Sequence, residues 1–193
     1  MRKLLLFIFL LGVLPAVADE RGQSRLERIS RYYSAMGSYA LSFVLRAGDA
    51  EQKGEMMVAG NNSYMRIADT EVYVVDSLRY EVRKAAKEIV VDRADAYEKE
   101  LLNPLNGFSS VAADYNIEER TVDGRIVIQL TPKKSGELIS IVMAVDGESV
   151  AKVQYGAGQN IMELEVVRCK KTTNSIPKFI KEEYKGFELI DFR

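Results

Sequence analysis

Carboxylates are the most numerous side chains of this sequence that could do acid–base chemistry, with 28 Asp and Glu residues among 193. Two carboxyl groups that face each other across a groove can hydrolyse a glycosidic bond. The central acidic residues, however, lie in predicted turns or on the predicted polar face of strands, where solvation explains them: Asp69, Glu71, Asp76, Glu81, Asp92 and Asp95. The pattern therefore does not favour a hydrolase.

Other catalytic groups are scarce. Histidine is absent, which removes Ser–His–Asp triads, Cys–His pairs and most catalytic zinc sites. The single cysteine, Cys169, has no partner for an intramolecular disulfide and is interpreted as a small hydrophobic residue late in a strand. No glycine-rich nucleotide-binding loop occurs. We predict that the protein is not an enzyme and that it uses no cofactor and no metal.

Methionine is the unusual apolar residue, in a chain that has no tryptophan. Five methionines lie on or beside predicted apolar strand faces: Met56, Met57, Met65, Met143 and Met162. Because the thioether side chain is flexible, it can line a cavity for variable apolar ligands or fill gaps in a packed core. Composition alone favours the packed core.

The elements that would position these side chains are mostly strands. Residues 54–92 predict an antiparallel meander, because β-branched and aromatic residues alternate with turn residues and no helical pattern intervenes. Its five predicted strands are 56–59, 64–68, 72–76, 78–83 and 89–91. Such a sheet, apolar on one face, must pack on a second layer or curl around something.

The flanking segments add one helix and further strands. A helix is predicted over residues 24–36, where Ser24 and Glu27 form a capping box. The remaining predicted strands are 39–46, 115–121, 125–131, 138–145, 149–155, 161–168 and 188–192. We count about eleven strands, which predicts a mainly β (α+β) fold built as an antiparallel barrel or strongly curved sheet.

A helical or irregular insert interrupts the strands at residues 94–113. Its first part is a predicted helix that ends at Asn103 and Pro104. One interpretation is a lid that presents its apolar residues to the sheet, and the other is an ordinary crossover between two halves of the sheet. Both interpretations place Leu101 and Phe108 inside.

The first eighteen residues have the pattern of a secretory signal peptide, with Arg2 and Lys3, an apolar run and a small-residue end. We expect cleavage after Ala18 and one exported domain over residues 19–193. The apolar run is shorter than the roughly 20 residues that span a bilayer. The mature chain, without the two basic residues, has 25 basic and 28 acidic residues, so nucleic acid is not an expected partner.

Five short strings occur in a recognisable order along the mature chain: residues 54–58 (GEMMV), 64–67 (YMRI), 74–80 (VVDSLRY), 130–133 (LTPK) and 186–191 (GFELID). In this order, and after an export signal, they resemble the periplasmic outer-membrane lipoprotein carrier family, the LolA-like proteins. The family's Arg-Pro between the second and third strands is replaced here by Gly60-Asn61-Asn62. An arginine latch onto a lid therefore cannot be carried to that position.

The resemblance implies a half-open antiparallel β-barrel with an N-terminal helix and a helical lid inserted mid-sheet. It also implies a monomeric periplasmic carrier that does not span the membrane and moves lipoproteins from the inner to the outer membrane. Its partners would be acylated lipoproteins, an inner-membrane lipoprotein-releasing transporter and an outer-membrane acceptor. A sensing regulatory module of the same fold and a packed structural domain without a cavity are the alternatives.

Under the carrier hypothesis, the acyl chains lie between the apolar sheet face and the lid. The residues expected to line this cavity are Tyr39, Leu41, Phe43, Leu45, Met56, Val58, Met65, Ile67, Leu78, Tyr80, Val82, Ile139, Ile141 and Met143. The lid is expected to contribute Leu101, Leu102, Leu105 and Phe108.

Overall fold

The computed structural model describes residues 20–94, 108–156 and 161–193. The predicted signal peptide, residues 1–18, lies outside these ranges. The described helices are α1 (Glu20–Met36), α2 (Ser109–Asp114) and a 3-10 turn (Lys181–Tyr184). The strands up to the insert are β1 (Ser38–Ala47), β2 (Ala50–Ala59), β3 (Asn62–Ile67), β4 (Thr70–Val75), β5 (Leu78–Arg83) and β6 (Glu88–Arg93). The later strands are β7 (Tyr115–Val122), β8 (Arg125–Pro132), β9 (Ile139–Met143), β10 (Val150–Tyr155), β11 (Met162–Lys171) and β12 (Glu188–Asp191).

Helix α1 is amphipathic, and its apolar residues Leu26, Ile29 and Tyr33 recur at helical spacing and are buried. The helix ends before Gly37, whose φ of 72° is the left-handed conformation that glycine favours after a helix. It begins at Glu20, four residues before the predicted cap at Ser24. Gly22 lies in this additional turn, and a Cβ at this position would lie 2.7 Å from the Ile117 side chain, so glycine lets the first turn dock closely on β7.

The described strands form one twelve-stranded sheet in the order β12-β6-β5-β4-β3-β2-β1-β11-β10-β9-β8-β7. Neighbouring strands are antiparallel except β12, which pairs parallel with β6. Helix α1 contacts both β1 and β7, although four strands separate them in the sheet. The sheet therefore curls around the helix. We call the face that carries α1 the concave face and the opposite face the convex face.

Each half of the sheet is covered from a different side. On the concave face, Leu26, Ile29 and Tyr33 of α1 belong to a buried cluster with residues of β1, β2 and β7 to β9. On the convex face, a second cluster around Tyr73 and Val82 packs against the C-terminal segment. We call residues 176–191 the C-terminal strap.

The strap is held by aromatic rings. Phe179 stacks on Tyr80 with ring centroids 4.3 Å apart, and the Tyr184 ring stacks on Phe179 at a centroid distance of 5.7 Å. Phe187 makes an edge contact with Tyr184. The strap then ends as β12, which extends the sheet beyond β6.

The fold class is confirmed. The protein is mainly β, with an unclosed sheet, an N-terminal helix and a small helix between β6 and β7, as a half-open barrel with a helical insertion requires. The described sheet has twelve strands where about eleven were expected. Within the described residues, no helix combines the length and apolar character that crossing a bilayer would need.

Candidate functional site

The strand pairing distributes the fourteen predicted cavity residues over both faces of the sheet. Met56 pairs with Leu41 and Met65, and Ile141 pairs with Ile128, all on the concave face. The residues on this face are Tyr39, Leu41, Phe43, Leu45, Met56, Val58, Met65, Ile67, Ile139, Ile141 and Met143. The remaining three do not join them.

Leu78, Tyr80 and Val82 lie on the convex face, so their assignment to the same cavity is wrong. Tyr80 pairs with Tyr73, and Tyr73 pairs with Tyr64, so the three share one face. Tyr64 precedes the concave residue Met65 in β3, and successive residues of a strand point to opposite faces. Tyr80 and Val82 pack under the C-terminal strap instead. The alternation within β5 was correct, but alternation alone does not fix which face is the inner one.

Seven of the concave residues form a closely packed core beneath α1. They are at most 4% exposed: Tyr39, Phe43, Met56, Val58, Ile139, Ile141 and Met143. Leu41, Leu45, Met65 and Ile67 are partly buried and pack against this core. Phe43 lies over Gly54, where a Cβ would approach its ring to 2.3 Å. These seven residues contact protein rather than open space, because α1 fills the curl of the sheet.

The apolar concave surface continues past α1 onto the meander. Val72 and Val74 of β4 and Val90 of β6 are buried on this face, yet they belong to neither of the two clusters among the described residues. Among the described elements, α1 makes its main contacts with β1, β7 and β8. The concave face of the meander therefore carries buried apolar residues outside the cluster that packs on α1.

Ion-paired side chains of β5 and β6 occupy the same face next to these apolar residues. Arg79 forms ion pairs with Glu81 and with Asp92, the latter at 3.4 Å, and Arg83 also pairs with Glu81 at 2.7 Å. Burial alone would raise the pKa of Glu81, but the two arginines lower it overall. Glu81 is thus a bound carboxylate on the inner face, whereas the sequence predicted a solvated one.

A groove of about 480 Å³ opens between α1 and α2 on the concave side. Its apolar part consists of Leu26, Phe108 and Ala112, and its polar part of Gln23, Glu27, Ser30, Arg31 and Ser109. Its volume falls in the ordinary range for small-ligand sites. Lys133 fixes one wall, because its Nζ donates hydrogen bonds to the Ala112 and Ala113 carbonyls at 3.0 and 2.8 Å.

The predicted lid is described only at its end. Phe108 is half-buried, packs against the concave core and borders the groove. Leu101, Leu102 and Leu105 lie outside the described residues, so their role as lid residues stays a prediction. The groove residues of α1 were not predicted as site residues, although the helical period of residues 24–36 was visible, because periodicity does not show where a helix docks.

Two buried tyrosines lie at one end of the concave core, with ring centroids 4.9 Å apart. Tyr33 accepts a weak hydrogen bond of 3.4 Å from the Val150 N–H. The Tyr39 hydroxyl is buried and has no hydrogen-bond partner among the described residues. Burial raises the pKa of both phenols, so they are neutral at physiological pH.

A buried carboxylate anchors the convex cluster. Glu71 is 8% exposed, and its Oε1 accepts hydrogen bonds from Tyr64 at 3.1 Å and Lys84 at 2.8 Å. Its Oε2 accepts from Tyr73 at 3.2 Å and from Tyr184 of the strap at 2.9 Å. Burial would raise the pKa of Glu71, but these donors outweigh it and lower the pKa. The interpretation of Glu71 as a solvated residue is therefore wrong.

Comparison with known proteins identifies the fold but no family. No family model matches the chain, and no curated protein matches it. An uncharacterized conserved protein from Thermus thermophilus superposes with a TM-score of 0.60 at 8% identity, covering 90% of this chain and all of that one. The Pseudomonas aeruginosa MucA/MucB complex gives 0.48 at 16% identity, covering 86% of this chain and 61% of that one.

A third solved structure, the Mycobacterium tuberculosis lipoprotein LppX, gives a TM-score of 0.40 at 11% identity, covering 81% of this chain and 98% of that one. Only the Thermus protein, among these three, superposes closely enough to support a conclusion. The chain has the same half-open, helix-filled β-sheet fold as that uncharacterized protein.

Proposed function

We propose that this protein binds the acyl chains of lipoproteins and carries them through the periplasm, from the inner to the outer membrane. The observation that supports this function best is the groove of about 480 Å³ between α1 and α2, which opens on the concave side of the sheet and has apolar walls at Leu26, Phe108 and Ala112. Each methylene transferred from water to such a surface contributes about 0.8 kcal/mol.

The proposal includes further properties of the carrier. It is an exported monomer of one domain, it is not an enzyme, and its partners are acylated lipoproteins, a releasing transporter and an outer-membrane acceptor. The ordered strings from residue 54 to residue 191 support this identity. Among the described residues, no group of His, Cys, Asp and Glu side chains is arranged to hold a metal ion.

A pair of neighbouring alanines provides a matched test. Ala112 borders the groove, whereas Ala113 is exposed on the same short helix and does not. We expect Ala112→Glu to weaken the binding of a triacylated peptide at least tenfold, because a carboxylate in the apolar part of the groove, beside Leu26 and Phe108, is costly to desolvate. Ala113→Glu should bind as the wild type does. Native mass spectrometry with added peptide measures both affinities.

Equal binding by both variants would contradict the placement of the acyl chain in this groove.

Affinity capture from envelope extracts separates the carrier from a regulatory module of the same fold. A carrier should recover many lipoproteins, whereas a regulatory module should retain one signalling protein in stoichiometric amount.

A further inference from the structure

A second groove, of about 520 Å³, runs along the other side of α1. It lies between the C-terminal half of the helix, the β9–β10 turn and the end of β11. Its basic residues are Arg28, Arg31 and Lys171, and its single acidic residue is Glu148. Arg31 also borders the groove between α1 and α2 and is therefore a lining residue of both grooves.

The three cations of the second groove take no part in the ion pairs of the described structure. Arg28, Arg31 and Lys171 are exposed, and none of them forms a salt bridge within the described ranges. Other arginines do: Arg46, for example, pairs with Glu51, Glu163 and Glu165. The groove thus holds an excess of two positive charges (three cations, one carboxylate), whereas the whole chain has a net charge of −1.

The floor of this groove is apolar. Tyr32 and Met36 border it, and both are partly buried against the concave core. Arg28 and Arg31 are three residues apart and therefore lie on the same side of the helix, above this floor. An apolar floor under paired guanidinium groups suits a ligand that has an apolar part and an acidic group, because guanidinium binds phosphate and carboxylate with paired hydrogen bonds.

From this arrangement we infer that the protein binds anionic amphiphiles, with the acyl chain in the groove between α1 and α2 and the acidic head group at Arg28, Arg31 and Lys171. The inference rests on the proposed acyl-binding function and adds the charge of the ligand to it. Phosphate and carboxylate head groups share the chemistry that these cations recognise.

Four ligands test the inference on the full-length mature protein: dodecyl phosphate, dodecanoate, dodecyl maltoside and inorganic phosphate. The first three share a twelve-carbon chain and differ in charge. We expect the two anionic amphiphiles to bind about tenfold more tightly than the neutral one, since two to three exposed charge contacts give about that factor. Isothermal titration calorimetry below the critical micelle concentrations, at low and at high salt, measures the difference.

The double variant Arg28→Gln/Lys171→Gln changes two cations that line only the second groove. It should remove most of this preference and leave the affinity for dodecyl maltoside unchanged. A control variant, Arg125→Gln/Arg168→Gln, loses the same charge from two exposed arginines on strands and should keep the preference. Circular dichroism verifies that each variant is folded.

Equal affinity of the wild type for charged and neutral amphiphiles would overturn the inference while leaving acyl binding intact. Binding of inorganic phosphate as tight as that of dodecyl phosphate would also overturn it, because the site would then be one for free anions. Failure of every twelve-carbon ligand to bind would instead contradict the proposed function itself.

Discussion

Tyr39 is the residue at which packing and polarity conflict most clearly. Its ring is fully buried in the concave core, and its hydroxyl has no hydrogen-bond partner among the described residues. A buried hydroxyl that gives up its hydrogen bonds to water without replacement costs free energy. The sequence placed Tyr39 correctly on the inner face of β1, but it could not show that the hydroxyl lacks a partner.

The substitution Tyr39→Phe should therefore raise the free energy of unfolding, by about 1 kcal/mol. Tyr33→Phe is the matched control, because it removes a neighbouring hydroxyl that accepts a hydrogen bond from Val150 and should give no gain. Urea denaturation at pH 7 measures both. A loss of stability in Tyr39→Phe would mean that the hydroxyl is hydrogen-bonded in the native protein.

Among the elements, β5 and the C-terminal strap show where prediction from sequence stops. Strand ranges and α1 were predictable, since alternation and helical spacing are local patterns. Which face of β5 points to the concave side was not predictable, because it depends on the register with β4 and on the packing of the strap. Tyr184 of the strap bonds to Glu71, 113 residues earlier in the chain, and no local pattern reports such a contact.

We expect Tyr184→Phe to lower the free energy of unfolding by about 1.5 kcal/mol at pH 7, because Glu71 loses a donor to its charged form. The pKa of Glu71 is lowered in the folded protein, so the stabilisation is complete above the unfolded pKa, near 4.5, and disappears as the pH falls through the folded pKa. The difference between wild type and variant should shrink accordingly in acid.

Urea denaturation at several values of pH from 7 downward measures this dependence. Tyr155→Phe is the control, since that side chain is 37% exposed and lies outside the strap cluster. A difference between wild type and Tyr184→Phe that stays constant through the acid range would show that the Tyr184 hydroxyl does not act through the Glu71 carboxylate.

At the scale of the whole molecule, the sheet is supported from opposite sides in its two halves. Helix α1 fills the concave side of β1 and β7 to β9, whereas the C-terminal strap covers the convex side of the meander. On the concave side, the groove between α1 and α2 remains open to a ligand. Sequence patterns predicted the curved sheet and most of its apolar face, but the packing of α1 inside the curl turned half of the predicted cavity into core.

The main hypothesis is that the groove between α1 and α2, on the concave side of the sheet, holds acyl chains. The decisive experiment is native mass spectrometry with lipid extraction, on protein purified without detergent from the cells that produce it. We expect acyl lipid or lipoprotein to co-purify with the protein. A clean ligand-free mass, from protein that also fails to bind added fatty acid or triacylated peptide, would contradict the hypothesis and favour a packed structural domain.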